Sequence, residues 1–370
     1  MNVLFVSNDP SILQTESAAR ARMREYGTYV AKTGGTLHVL TPAPKNTEES
    51  DGSLQIYGVC TSRLNRVRTL TKKAKEIISS KQIQIVSAQD PFEQGLAALR
   101  AVTGTTAKLH IQVHTDFCSP EFAKGFNKAA LLNRARIRIA DSVLPHAGGI
   151  RVVSKRVKEG VVARYGSTLP EIAVIPIAVS ATLPNPVPLT SPTPFTLIAI
   201  GRLEEEKRYE DLIAALAIVR ELHPSVGVSI VGGGRKRKAL ERLAHKKGVV
   251  EGVSFLGERS DAIGLLRSAQ AFIQASAYEG YGRTLIEAAL AEVPIITTDV
   301  GIVGDVLMSD IDALVSPVGN VQQLADHITQ LLNDHQKRLV LTMNAERAVR
   351  EHLTKQGNIP ERIIQDLARL

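Results

Sequence analysis

Short apolar runs alternate along the whole chain with longer segments whose apolar residues recur at helical spacing. Val3–Val6 and residues 36–40, 83–87, 108–113, 150–153 and 172–177 form one series of strand-like runs. Residues 195–200, 228–231, 253–257, 271–275, 294–298 and 313–317 form a second. Helical patterns cover residues 16–32, closed by Gly34-Gly35, and 127–146, closed by Gly148-Gly149, with further helices at 283–292, 321–332, 338–352 and 359–370. Alternation of this kind predicts an α/β fold with parallel sheets and right-handed crossovers. Between the two series, residues 180–194 carry Pro184, Pro186, Pro188, Pro192 and Pro194 and almost no charge, the composition of a stiff linker. The expected organisation is therefore an N-terminal Rossmann-like domain (1–179), the linker, and a second Rossmann-like domain (195–352) across a cleft. The final segment, 353–370, is expected to pack back towards the first domain.

A length of 370 residues agrees with two domains, because single cores seldom grow beyond ~250–300 residues. With 44% hydrophobic and 22% charged residues the composition is that of a globular protein, and no apolar run approaches the ~18 residues of a membrane span. The first residues lack a basic region and a long apolar core, so the expected location is the cytoplasm. Net charge of +8 and a pI near 9.4 point to an anionic partner: a phosphorylated small molecule, an anionic membrane surface or a nucleic acid. Aromatic residues make up only 4%, and Trp is absent, which argues against nucleic-acid stacking platforms. Basic segments at 63–75 and 127–146, the latter with Arg134, Arg136 and Arg138, read as solvated helix faces or as peripheral contacts with the inner face of a membrane. Cys60 and Cys118 read as ordinary buried thiols, too few for a disulfide framework or a zinc site.

The chemistry concentrates in residues 276–300. Glu279-Gly280-Tyr281-Gly282 forms a loop after one strand and is followed by a helix beginning at Arg283. Loop glycines admit a ligand close to the backbone, and the helix start offers N–H donors and a positive dipole end to a phosphate. Glu287 lies one turn inside that helix among apolar neighbours, where a carboxylate needs a partner; the plain alternative is an ordinary helix with one exposed Glu. Arg202 and Lys207 flank a loop at the carboxyl end of the first strand of the second series. They can converge on one phosphate or serve as surface charges. Gly232-Gly233-Gly234 can admit a ligand, and the basic residues 235–238 sit at a helix start, which disfavours cations unless an anion is near. In the first domain, Gln89-Asp90-Pro91 and His114-Thr115-Asp116 occupy strand ends, the usual ligand-facing positions of open α/β sheets. His110, inside its strand, reads as a satisfied core histidine. Asp310-Ile311-Asp312 has the spacing of a metal pair but reads as a turn, and no metal site is expected.

Taken together, Gly201-Arg202-Leu203 with Lys207, residues 253–257, Glu279-Gly280-Tyr281-Gly282 with Glu287, residues 293–299 and the Gly301–Asp305 loop resemble the retaining glycosyltransferases of family 4, which have the GT-B fold. The resemblance is specific over the second domain and looser over the first. It implies that Arg202 and Lys207 hold the diphosphate of a nucleotide-sugar donor and that Glu287 accepts from the ribose hydroxyls. Glu279 would bind the transferred sugar, and Gly280, Tyr281, Gly282, Arg283 and Thr284 would line the donor. The loop at 258–260, with Arg259, would lie against the base, and His114 would face the sugar. The implied reaction is transfer of a hexosyl group to a lipid-linked, saccharide or small-molecule acceptor, without metal or cofactor and with retention of configuration. A non-catalytic nucleotide-sugar-binding protein and a nucleotide-sugar 2-epimerase share the architecture and stand as alternatives. Ser7-Asn8-Asp9-Pro10 and residues 176–180 depart from the family pattern, on the acceptor side and at the hinge.

Overall fold

The computed structural model describes residues 1–125, 127–189 and 193–370. They form two compact units, Met1–Ala178 together with Asn358–Leu370, and Val179–Gly357. Pro192, within the proline-rich segment, lies outside the described residues.

In the first unit the strands are β1 (Val3–Val6), β2 (Leu37–Ala43), β3 (Thr47–Asp51), β4 (Leu54–Cys60), β5 (Ile85–Ala88), β6 (Lys108–Val113), β7 (Gly149–Val152) and β8 (Ile172–Val174). Helices α1 (Ala18–Ala31), α2 (Arg66–Ser80), α3 (Glu93–Val102), α4 (Lys128–Val143) and α5 (Lys155–Tyr165) alternate with them. The sheet order is β3-β4-β2-β1-β5-β6-β7-β8, and every pairing is parallel except β3 with β4. Ser17, Asn127 and Ser154 cap α1, α4 and α5 by accepting a backbone N–H from the first turn.

The antiparallel edge departs from the all-parallel expectation. β3 is polar, and two of its acidic residues are tied to α1: Arg20, only 5% exposed, pairs with Glu49 at 2.6 Å and Asp51 at 2.9 Å, and Arg24 joins Asp51 at 2.6 Å. A charged edge strand of this kind also resists pairing with another chain. The thiols differ from expectation too. Cys60 ends an edge-proximal strand and is exposed, whereas Cys118 is half-buried, where burial and then Asp116 push its thiol up to about 12 and keep it protonated.

The second unit is a six-stranded, wholly parallel sheet of β9 (Phe195–Ile200), β10 (Val226–Val231), β11 (Val253–Gly257), β12 (Ala271–Gln274), β13 (Ile295–Thr298) and β14 (Leu314–Ser316). Its order is β11-β10-β9-β12-β13-β14. The helices are α6 (Tyr209–Leu222), α7 (Arg237–Lys246), α8 (Ala262–Leu266), α9 (Arg283–Leu290), α10 (Val321–Asn333) and α11 (His335–Gln356). Part of the proline-rich segment lies against α8: Val187 N–H donates to Gly264 O (2.9 Å), and Arg267 donates to Pro184 O (2.7 Å).

The last helix, α12 (Ile359–Ala368), returns to the first unit. It packs against α1 and sets Ile359, Ile363, Ile364 and Leu367 into the core that contains Val3, Phe5, Met23 and Tyr26. Gly149 leaves room for the Leu370 side chain just beyond α12, whose Cδ2 lies 2.9 Å from where a Cβ would stand. Among the described residues no helix is long and apolar enough to cross a membrane.

Candidate functional site

In the second unit β9 and β12 are sheet neighbours, so the loops following their carboxyl ends meet although they are far apart in sequence. Lys207 comes from the first loop and Glu279 from the second. The Lys207 Nζ pairs with Glu279 Oε1, which also accepts from Ser276 Oγ at 2.8 Å, and both side chains are largely shielded, at 16% and 17% exposure. The Ala277 N–H donates to Glu206 O (2.7 Å), which fastens the two loops together. Tyr209, buried at the start of α6, donates to Gly201 O (3.1 Å) and completes the wall behind Lys207.

Gly282, at φ +83°, forms the N-cap of α9, a conformation open to glycine at little cost. Arg283 and Thr284 occupy the first turn, with their backbone N–H groups at the positive end of the helix dipole. Glu287, buried as the sequence suggests, has its partner one turn back: Arg283 Nε donates to Glu287 Oε1 at 2.7 Å. Thr284 Oγ1 donates to Gln274 Oε1 (2.8 Å), and the Tyr281 hydroxyl meets His352 Nε2 on α11 (3.0 Å). Gly301 lies against the same loop, where a Cβ would stand 2.5 Å from Tyr281 O. Residues 279–284 are thereby held from three sides.

Arg202 and Lys207 are not brought to one point. The Arg202 side chain is 76% exposed and pairs with Glu206 at 2.8 Å, while Lys207 turns to Glu279. Arg259 is likewise turned away, forked onto Asp261 at 2.6 Å. The anions that Arg235, Lys236 and Arg237 meet in the basic run 235–238 are protein carboxylates. Arg235 binds Glu204 at 2.6 Å and holds that carboxyl below its ordinary range, Lys236 binds Glu210 at 2.9 Å, and Arg237 binds Glu241 at 2.8 Å.

Gly232 and Gly234 serve backbone packing. A Cβ on Gly232, at φ +140°, would lie 2.0 Å from Gly201 O, and one on Gly234, at φ +155°, would lie 2.5 Å from Leu203 O. They let the 232–234 turn pair with the Gly201–Leu203 loop through the Leu203 N–H to Gly233 O bond of 2.7 Å. Gly232→Ala should therefore destabilise the unit by about 2–4 kcal/mol, through strain plus a displaced backbone. Urea unfolding with an unchanged midpoint would contradict this.

In the first unit His114 stands at the carboxyl end of β6, with Nε2 3.2 Å from Gln112 Oε1. Burial, then the charges of Arg151 and Arg22, depress its imidazole to about 3, so it is neutral at physiological pH. Burial raises Asp116 to about 6, and likewise Asp90, whose carboxylate accepts the Phe92 N–H at 2.7 Å. A carboxyl raised from 3.8 to about 6 gives its full stability below its ordinary range and loses it as pH rises through 6. Asp90→Asn is accordingly expected to stabilise the fold at pH 8 by up to roughly 3 kcal/mol and to lose most of that gain by pH 4. Equal shifts in the thermal midpoint at both pH values would refute the assignment.

Ser276, Tyr209, Gln274 and His352 support the site without having been singled out in the sequence. Ser276 opens the 276–300 stretch, but its bond to Glu279 is fixed only by the turn between them. Among the described residues no group of three or more His, Cys, Asp or Glu side chains is placed to hold a metal ion.

Residues 20–183 match the family described as Glycosyltransferase Family 4, and residues 186–348 match Glycosyl transferases group 1. A glycogen synthase of Mycobacterium tuberculosis is 31% identical over 193 residues, which is 51% of this chain and 46% of that protein, so the chain matches about half the length of this curated relative. The structure of a sucrose-phosphate synthase from Thermosynechococcus elongatus superposes with a TM-score of 0.81 at 18% identity, covering 98% of this chain and 97% of the other. Anabaena Alr3699/HepE in complex with UDP-glucose superposes with a TM-score of 0.74 at 20% identity over 100% of both chains. The two α/β units have the GT-B fold, and the chain belongs to the family 4, group 1 glycosyltransferases.

Proposed function

We propose that the protein is a retaining hexosyltransferase that uses a nucleotide diphosphate sugar and needs no metal ion or other cofactor. The observation that carries this is the joining of Lys207, Glu279 and Ser276 beside the start of α9. One small region thus offers a cation and helix N–H groups for a diphosphate, and a carboxylate for sugar hydroxyls. Glu287 is suited to ribose hydroxyls, and Gly280, Tyr281 and Gly282 to close backbone contact with the donor. Arg202 and Arg259, on exposed loops, would reach the diphosphate and base by leaving their intramolecular partners. Neutral His114 can hydrogen-bond a sugar hydroxyl without adding charge.

In the proposed step the bond from sugar C1 to the diphosphate oxygen breaks, and its electron pair leaves with the phosphate. Lys207 and the first-turn N–H groups of α9 stabilise that developing charge. The acceptor oxygen bonds to C1 on the face just vacated, and its proton passes to the departing phosphate oxygen, so configuration is retained. Structural neighbours crystallised with UDP or UDP-glucose make uridine diphosphate hexoses the first donors to test. The acceptor class is a lipid-linked, saccharide or small-molecule hydroxyl. The proposed location is the cytoplasm, with the basic α4 face and its exposed Leu131 and Leu132 in peripheral contact with the membrane.

The test is nucleotide release from a panel of nucleotide sugars, with and without acceptors, in the presence of EDTA, followed by the anomeric configuration of the product. Inverted product removes the retaining mechanism, and activity abolished by EDTA and restored by a divalent ion removes metal independence. An altered free sugar nucleotide formed without acceptor indicates an epimerase. Donor binding without turnover across the acceptor panel favours the non-catalytic reading.

A further inference from the structure

A chain of buried polar groups crosses the first unit beneath α12 and ends at His114. Ser87 on β5 lies opposite His110 on β6, and Gln112 on β6 lies opposite Arg151 on β7, all on one sheet face. His110 Nε2 is 3.1 Å from Asp366 Oδ2 on α12, and its Nδ1 is 2.8 Å from Ser87 Oγ. Gln112 Nε2 donates to Ser87 Oγ at 3.0 Å. Gln112 Oε1 accepts from Arg151 Nη1 at 2.6 Å and lies 3.2 Å from His114 Nε2. Arg151 is 2% exposed and is anchored by bonds to Ile175 O (2.9 Å) and Pro176 O (2.7 Å).

The donor and acceptor capacities of these groups leave a single self-consistent direction. Asp366 is a carboxylate and accepts, so His110 carries its proton on Nε2 and its Nδ1 becomes an acceptor. The Ser87 hydroxyl therefore donates to His110, and its lone pair receives the Gln112 amide N–H. Arg151 can only donate, which independently turns the Gln112 oxygen towards β7 and His114. With a carbonyl oxygen facing it, His114 must carry its proton on Nε2, leaving Nδ1 as the acceptor. Burial keeps both imidazoles neutral, which is the state this chain of bonds requires.

We infer that Gln112 is a positioning residue: oriented by Arg151 on one side and by the Asp366–His110–Ser87 chain on the other, it locks His114 in the Nε2–H tautomer. The reaction then meets one fixed hydrogen-bonding pattern in place of two interconverting ones. This inference rests on the role proposed above for His114, but the tautomer can be read without turnover.

The test is nitrogen-15 NMR of the histidine rings in the full-length protein, with the His114 signals identified by their loss in His114→Asn. Wild type is expected to show His114 as the Nε2–H tautomer, and an Nδ1–H tautomer would overturn the inference whatever the variants do. In Gln112→Met, which keeps length and removes the amide, His114 should become a mixture. Gln112→Glu keeps an acceptor for Arg151 and His114 and should restore the Nε2–H form. Ser87→Ala, which leaves the amide held by Arg151 alone, should give a smaller loss and serves if Gln112→Met does not fold. A folded Gln112→Met protein with an unchanged His114 tautomer would also overturn it. With a competent donor, Gln112→Met should lower kcat roughly tenfold with donor KM within about twofold, and Gln112→Glu should recover most of it. If the tautomers behave as stated and wild type turns over no donor, the functional reading fails and the positioning stands. If wild type is active while Gln112→Met keeps both its tautomer and its kcat, the positioning alone fails.

Discussion

Glu279→Gln is expected to lower kcat by about 10²–10³, equivalent to roughly 2.7–4 kcal/mol of transition-state stabilisation, while donor KM stays level or falls. The amide keeps the shape of the carboxylate and can still accept from Ser276 Oγ, so the loop should stay folded. What disappears is the negative charge beside Lys207. Ground-state attraction of a diphosphate to Lys207 should then increase, while the sugar hydroxyls lose a charged acceptor that holds the sugar in its reactive position. An interaction that matters more in the transition state than in the bound substrate shows itself by this split between kcat and KM. Steady-state kinetics with a competent donor decide the matter, and a kcat within threefold of wild type would remove Glu279 from the reaction.

Removal of residues 358–370 is expected to abolish folding of the first unit while leaving the second intact. Four buried apolar side chains would go, Ile359, Ile363, Ile364 and Leu367, each at most 7% exposed. At about 1.5–3 kcal/mol apiece they amount to roughly 6–12 kcal/mol, against a total of about 5–15 kcal/mol for a whole domain. The bonds from Asn358 to the Tyr29 hydroxyl (2.6 Å) and from Arg362 to Val174 O (3.1 Å) would be lost as well. Limited proteolysis should degrade residues 1–178 and spare 179–357, and equal resistance of both units would contradict the prediction. The milder Ile363→Ala should cost the first unit about 2–5 kcal/mol.

The local pattern carries most of the architecture and little of the contact chemistry. β1, β5, β12 and β13 are buried at every position, which is why each begins on apolar residues and stands out as a short strand. β3, Thr47–Asp51, is polar and alternates only in burial, and what holds it is pairing with β4 and with Arg20, neither visible as a local signal. Glu279 and Glu287 are legible because a loop glycine run and a carboxylate among apolar neighbours are unusual side by side. Arg283 as the partner of Glu287 also follows from helical spacing. The pairing of Lys207 with Glu279 is different in kind. It spans 72 positions and depends on β9 lying beside β12, an order of strands that no single segment encodes. The polar face of β6 lies between these cases: His110, Gln112 and His114 alternate in sequence, but the groups that give them direction come from β5, β7 and α12.

The first unit is discontinuous, whereas the second is a single stretch from Val179 to Gly357. A ribosome builds the chain in order, so all of the second unit is synthesised before Ile359–Ala368 exists to cover the first sheet. The usual sequence, in which the N-terminal domain completes itself first, is thus reversed for this protein. For the time needed to synthesise the second unit, the nascent first unit presents the apolar surface around Val3, Phe5, Met23 and Tyr26 without its final cover. During that interval the uncovered apolar surface is open to aggregation.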